Sequence, residues 1–244
     1  MRWILHELTH WWREYTRGLD LLPVLALLIA TVMLLVCGIY GGTGFYRRVF
    51  GSSAGRYATL APHLYWYGCS LVGYAGVPLL VFALLKAGPG SLGLRLGDWR
   101  LGLKVVAVFS LVMVAVVAAV LQTPAFAEHY PLNKGALAGF GPLLVYETFH
   151  MGYFFAWEFI FRGFLLFALY PALRNWAILV QMIPFAILHL GKPAPEVFAS
   201  VFAGIILGAL ALRTRSMLYC WLLHGVSALA MDVGAYLQQG QWRW

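Results

Sequence analysis

Residues 21–40 read LLPVLALLIATVMLLVCGIY, twenty positions without one charged side chain. An α-helix needs about 20 mostly apolar residues to cross the hydrocarbon core of a bilayer. Inside lipid the backbone must satisfy its own hydrogen bonds, which a helix does within one segment. Comparable apolar runs follow at 64–85, 105–122, 140–170, 176–189, 197–212 and 217–236, giving seven spans. The count rises to eight if the long run 140–170 is two segments. The composition agrees: 62% of the 244 residues are hydrophobic and 11% are charged, whereas a soluble domain carries roughly a quarter charged residues. The expected fold is therefore all-α, a polytopic transmembrane helical bundle in a multi-pass integral membrane protein. The expected setting is a bacterial-type inner membrane.

The net charge of +8 would suggest nucleic acid in a soluble protein. Here the Lys and Arg residues flank apolar segments, where they meet lipid headgroups, so the lipid bilayer is the expected partner and nucleic acid is not. Counting Lys and Arg in the loops favours an N-terminus on the cytoplasmic side, although Arg47, Arg48 and Arg56 argue the other way. Cys37, Cys69 and Cys220 lie in apolar runs without ligand spacing and read as small hydrophobes. In residues 1–20, Ile4, Leu5, Leu8, Trp11 and Trp12 recur at helical spacing against Arg2, Glu7, Arg13, Glu14 and Arg17. That pattern fits a helix lying in the membrane interface. No linker or repeat divides the chain, so one domain is expected: the interfacial helix 1–20, supporting helices over 21–139 and working helices over 140–238.

Polarity supports that division. An ionisable group at membrane depth costs about 2.5–3.5 kcal/mol even on insertion scales, so it needs a partner or a task. Nearly all such groups lie in the second half: Glu147, His150, Glu158, Arg162, His189, His224 and Asp232. Glu158 and Arg162 are spaced i,i+4 and can pair, and Gly163 beside them permits close approach by a neighbour. Measured from one membrane side at the helical rise, Glu158 lies about 18 Å deep, His189 about 22 Å and His224 about 11 Å. Helix tilt could bring the three into one cavity. Taken singly, each His could equally be a core histidine bonded across helices.

Such a group supports hydrolysis. A carboxylate can take a proton from water while imidazoles position that water or stabilise an oxyanion. One Glu and two His are also a zinc-type ligand set. The residues leave open a metal-free water and a divalent metal, zinc for instance, held by Glu158, His189 and His224.

The late motifs resemble those of the CAAX protease and bacteriocin-processing family, the type II CAAX prenyl endopeptidases or Abi proteins. That pattern runs Glu-Glu-x-x-x-Arg, often with Phe-Arg-Gly, then Phe-x-x-x-His, then His-x-x-x-Asn. Here Trp157-Glu158-Phe159-Ile160-Phe161-Arg162-Gly163 resembles the first, Phe185-Ala186-Ile187-Leu188-His189 the second and His224-Gly225-Val226-Ser227-Ala228 the third. The resemblance covers residues 140–235. It implies an intramembrane peptidase acting on a membrane-associated protein or peptide near a terminus, with CAAX proteins, peptide leaders or the C-terminal sorting segments of the myxosortase branch as substrates. Glu158 would then be the general base oriented by Arg162, and His189 and His224 would position water and the oxyanion. Two positions depart from the pattern. Trp157 stands where the first Glu is expected, and Ala228 stands in place of the Asn.

Three more residues are candidates for support. Asp232, two turns beyond His224, could supply a polar group on about the same face. Glu147, 11 residues before Glu158 and about 20° away around the helix, could be a substitute acid or a loop-end residue. Glu147 and His150 form a Glu-x-x-His step, but a di-iron site needs a second such step, which is lacking. Glu196 pairs in spacing with Lys192 and could reach a catalytic His. The rival reading is a non-catalytic immunity factor, scaffold or transporter using the same cavity. The sharp polarity difference between the halves argues against a repeat-built transporter.

Overall fold

The computed structural model describes residues 20–239 apart from 52–54, 56 and 85–88, together with Trp3, Ile4, His6, Glu7 and His10. The interfacial helix expected over 1–20 lies largely outside the described residues. Among the described residues the chain is helical and without strands. We number the helices α1 (Leu21–Tyr40), α2 (Thr43–Phe50), α3 (Ala61–Leu84), α4 (Trp99–Val120), α5 (Pro124–His129), α6 (Phe140–Leu173), α7 (Trp176–Ile187), α8 (Ala194–Thr214) and α9 (Leu218–Gln239). Six of these are long and apolar enough to cross a membrane, and α7 is a shorter apolar helix. The expected architecture is thus the observed one: a multi-pass integral membrane protein.

The run 140–170 is one helix, not two. At 34 residues, α6 is about 51 Å long at the helical rise, well beyond the ~30 Å of a hydrocarbon core. Its most apolar stretch is 83% buried, against 6% for that of α4. The apolar residues of α6 therefore face protein, and the apolar residues of α4, such as Val108, Leu111 and Val112, face outward. In a bilayer that outward face meets lipid tails. α3 and α9 pack against α6, and α9 also lies along α4.

Two local devices set the packing around the late motifs. α6 widens into a π-helical segment over Phe159–Leu165, directly after Glu158, a feature frequent at functional sites. Within it Gly163 admits the backbone of the segment before α4. A Cβ at this position would stand 3.0 Å from the Leu92 carbonyl and 2.7 Å from the Phe159 ring. α7 and α8 form a tight pair across Gly204 and Gly208, where Gln181 Nε2 donates to the Gly204 carbonyl at 2.8 Å. Small residues and side-chain amides are the usual means by which membrane helices approach closely.

Candidate active site

Glu158 and Arg162 lie one helical turn apart on α6, and both side chains are wholly buried. Arg162 Nη1 donates to Glu158 Oε1 at 2.9 Å, and the guanidinium lies 3.8 Å from the centre of the Phe185 ring. The same Glu158 oxygen accepts from His224 Nδ1 on α9 at 2.6 Å. A carboxylate buried in this way is compensated by two charge-assisted or polar donors. The bond also fixes the imidazole: with Nδ1–H turned to the carboxylate, Nε2 of His224 is left as an acceptor.

His189 follows the end of α7 and is held in the same manner. Its Nδ1 lies 2.8 Å from the Phe185 carbonyl. A carbonyl only accepts, so Nδ1 carries the proton and Nε2 is again the free acceptor. The rings of His189 and His224 are nearly parallel, 18° apart, with centroids separated by 6.5 Å. The depths estimated along the chain thus converge: Glu158, Arg162, His189 and His224 form one group.

The two imidazoles line a cavity of about 830 Å³. Its polar wall includes His150 and Asp232, and its outer wall is apolar, with Leu34 of α1 and Met113 and Val116 of α4. Glu158 and Arg162 do not line it; they lie behind His224. Trp157 does line it, with its indole 6.0 Å from the His189 ring. Where the family pattern has an acid, the wall is therefore an aromatic face, and at Ala228 it is a methyl group.

The supporting candidates divide between two neighbouring sets of contacts. Glu196 accepts from Tyr130 Oη at 2.7 Å and from Lys192 Nζ at 2.7 Å. Its bonds thus go to a tyrosine and a lysine rather than to His189. Burial, and then the Glu196 carboxylate beside it, hold the Tyr130 phenol well above its ordinary pKa, so it remains a donor. Asp232 reaches His150, with Oδ2 3.0 Å from Nδ1, and Glu147 Oε2 lies 3.9 Å from that same nitrogen. All three of these side chains are buried. Phe154 stands between the two polar centres, its ring 4.6 Å from His150 and 4.4 Å from His224.

A metal on Glu158, His189 and His224 can be tested against this geometry. Glu158 Oε1 is engaged by Arg162 and by His224 Nδ1, and His189 Nδ1 is engaged by Phe185. Glu158 Oε2 is without a hydrogen-bond partner but is buried, and Glu158 does not line the cavity, so the ligand atoms of the three side chains as arranged do not converge as a three-ligand set. Among the described residues the trio whose ligand atoms converge is Glu147, His150 and Asp232, within 4.8 Å of one another. His150 carries one signal in the sequence, its Glu-x-x-His spacing on α6, and that spacing alone gives it no role. Tyr130 lies in a polar junction and carries no such signal.

Fold and site together define a membrane protein with an intramembrane cavity lined by ionisable side chains. Residues 142–230 match the family described as type II CAAX prenyl endopeptidase Rce1-like. That segment runs from the start of α6 to the middle of α9 and contains Glu158, Arg162, His189 and His224, so the late helices are similar to those of a membrane protease family. No curated protein and no solved structure matches the chain.

Proposed function

We propose that this protein is an intramembrane endopeptidase that hydrolyses a membrane-associated protein or peptide near a terminus, using a metal-free water held by His189 and His224. The carrying observation is the pair of near-parallel imidazoles on one cavity wall, each with Nδ1 fixed by an acceptor behind it. Each Nε2 can then accept one hydrogen of the same water, leaving its oxygen lone pair directed at a scissile carbonyl.

In this reading the water oxygen attacks the carbonyl carbon as one of its protons passes to His224 Nε2. The buried Glu158 carboxylate stabilises the imidazolium that forms, as an acid behind a histidine base does in hydrolases generally. Glu158 thus acts through His224 as a positioning residue, and Arg162 keeps it ionised and oriented. His224 then returns the proton to the amine as the carbon–nitrogen bond breaks. The apolar outer wall formed by α1 and α4 suits a lipid-modified or apolar substrate segment, and residues 140–238 form the working half.

Quantitative terminal proteomics on native membranes tests the reading, comparing wild type with His189→Ala and His224→Ala at equal expression. The same protein termini should vanish in both variants, because a positioned general base contributes about 10²–10⁴-fold. Persistence of every terminus in both variants would overturn the peptidase reading and favour a binding protein. In a second arm, Glu158→Asp should recover part of the cleavage lost in Glu158→Ala and shift its pH profile, since it acts through the imidazole.

A further inference from the structure

We propose that Glu147, His150 and Asp232 form a binding site for one divalent metal ion of the zinc class, at the second polar centre of the cavity. The site stands apart from the His189–His224 pair, on the far side of the Phe154 ring.

Glu158 has Arg162 as its counter-charge. Among the described residues, no Lys or Arg forms an ion pair with Glu147 or Asp232, whose charged contacts are with His150. The exposures are 8% for Glu147, 3% for His150 and 1% for Asp232. Both oxygens of Glu147 and both of Asp232 are buried and accept no hydrogen bond of good geometry, although Asp232 Oδ2 lies 3.0 Å from His150 Nδ1. Native proteins rarely leave two buried carboxylates so poorly satisfied. A single divalent cation would neutralise both carboxylates and engage an oxygen of each.

The spacing of the ligand atoms also suits a metal ion. The distances from His150 Nδ1 are 3.0 Å to Asp232 Oδ2 and 3.9 Å to Glu147 Oε2. Tetrahedral ligands ~2.1 Å from an ion stand ~3.4 Å apart, so the observed spacings bracket the requirement. The His150 ring is held in place by Tyr67, stacked at 5.0 Å and 11°. Glu147 and His150 come from one face of α6 and Asp232 comes from α9, so an ion would tie together the two helices that carry Glu158 and His224. A mixed imidazole–carboxylate set suits borderline ions such as Zn²⁺ or Co²⁺ better than Ca²⁺ or Mg²⁺, which favour all-oxygen shells.

The test needs no substrate, so it is independent of the peptidase reading. Full-length protein in detergent is stripped with chelator and titrated with Co²⁺, read by visible d–d absorption and by bound cobalt after dialysis. One Co²⁺ per chain is expected in wild type, in His189→Ala and in His224→Ala. Partners one bond removed from a metal already change affinity about 10–100-fold. Glu147→Gln and Asp232→Asn should therefore each weaken binding by at least about 100-fold. Should either fail to fold, His150→Phe keeps the stack on Tyr67 while removing the nitrogen ligand. The absence of Co²⁺ binding in wild type, its survival in the Glu147, His150 and Asp232 variants, or its loss in the His189 or His224 variants would overturn the proposal.

Discussion

Replacing Arg162 by Met tests the structural logic beneath the site. Methionine keeps an unbranched apolar stem of similar reach, so the change removes the charge more than the packing. In the native arrangement Arg162 Nη1 lies 2.9 Å from Glu158 Oε1, and neither side chain is exposed. Taking one partner from such a pair leaves the other charge buried and undercompensated, which typically costs about 3–5 kcal/mol. His224 remains on the carboxylate at 2.6 Å, which favours the lower end of that range. Loss of the guanidinium from the face of Phe185, 3.8 Å away, pulls in the other direction, by up to about 2 kcal/mol for a desolvated contact. At about 2–4 °C per kcal/mol for a chain of this size, the variant should unfold roughly 6–20 °C below wild type. The assay is thermal unfolding of the full-length protein in micelles, followed through its 10 tryptophans.

The control is the double variant Glu158→Gln, Arg162→Met. Its buried pair is neutral, and replacing both members of a buried ion pair is far milder than removing one. Most of the lost stability should return, while cleavage should not, because an amide cannot stabilise the His224 imidazolium as a carboxylate does. Two results would refute the reasoning. A single variant shifted by less than about 3 °C would show that the pair contributes little. A double variant as unstable as the single would show that the damage is packing and not an orphaned charge.

Three further outcomes follow from the same contacts. Ala228→Asn restores an amide to the cavity wall one turn beyond His224 and should raise the cleavage rate; oxyanion donors are worth about 10²–10³-fold where optimally placed, and an unchanged or lower rate would count against the proposed substrate position. Gly163→Ala should cost about 1–3 kcal/mol, visible as a lowered unfolding temperature, because the new methyl would meet the Phe159 ring at 2.7 Å and the Leu92 carbonyl at 3.0 Å. Tyr130→Phe should destabilise by about 1.5–3 kcal/mol near neutral pH through loss of a hydrogen bond to a carboxylate. The native phenol is raised by burial and by Glu196, so its contribution is present below about pH 10, its ordinary value, and lost as pH rises through the folded value. Wild type should therefore lose stability in the alkaline limb more steeply than Tyr130→Phe, and parallel alkaline limbs would refute that assignment.

The helices were legible in the sequence because lipid imposes one simple rule on length and polarity. Leu21–Tyr40 and Trp99–Val120 follow it with little of their apolar surface buried to complicate the pattern. The same rule is blind to continuity. Nothing in the polarity of residues 140–170 distinguishes one helix from two, since the stretch is surrounded by protein and not by lipid. The grouping of Glu158, Arg162, His189 and His224 was also readable, since charge at membrane depth is conspicuous. Its internal order was not. Which atom of Glu158 meets His224, and which face of Phe154 separates two polar centres, are settled by helix rotation and packing, which spacing along one helix does not encode.

The two departures at Trp157 and Ala228 gain meaning from that order. An acid at 157 would lie on the cavity wall beside His189, where it could meet water directly; Glu158, one position on, faces inward to Arg162 and His224. Adjacent helical residues point about 100° apart, so Glu158 cannot simply assume the role of a missing neighbour. It can act only through the imidazole it holds. If the chain is a peptidase, its base must be a side chain that reaches the cavity. Two histidines there have buried carboxylates beside them, His150 with Asp232 and His224 with Glu158, and of the two it is His224 that lies beside His189. In the proposed mechanism Trp157 thus leaves a carboxylate-backed histidine in place of a carboxylate, and His224→Ala should be more damaging to cleavage than any change at 157.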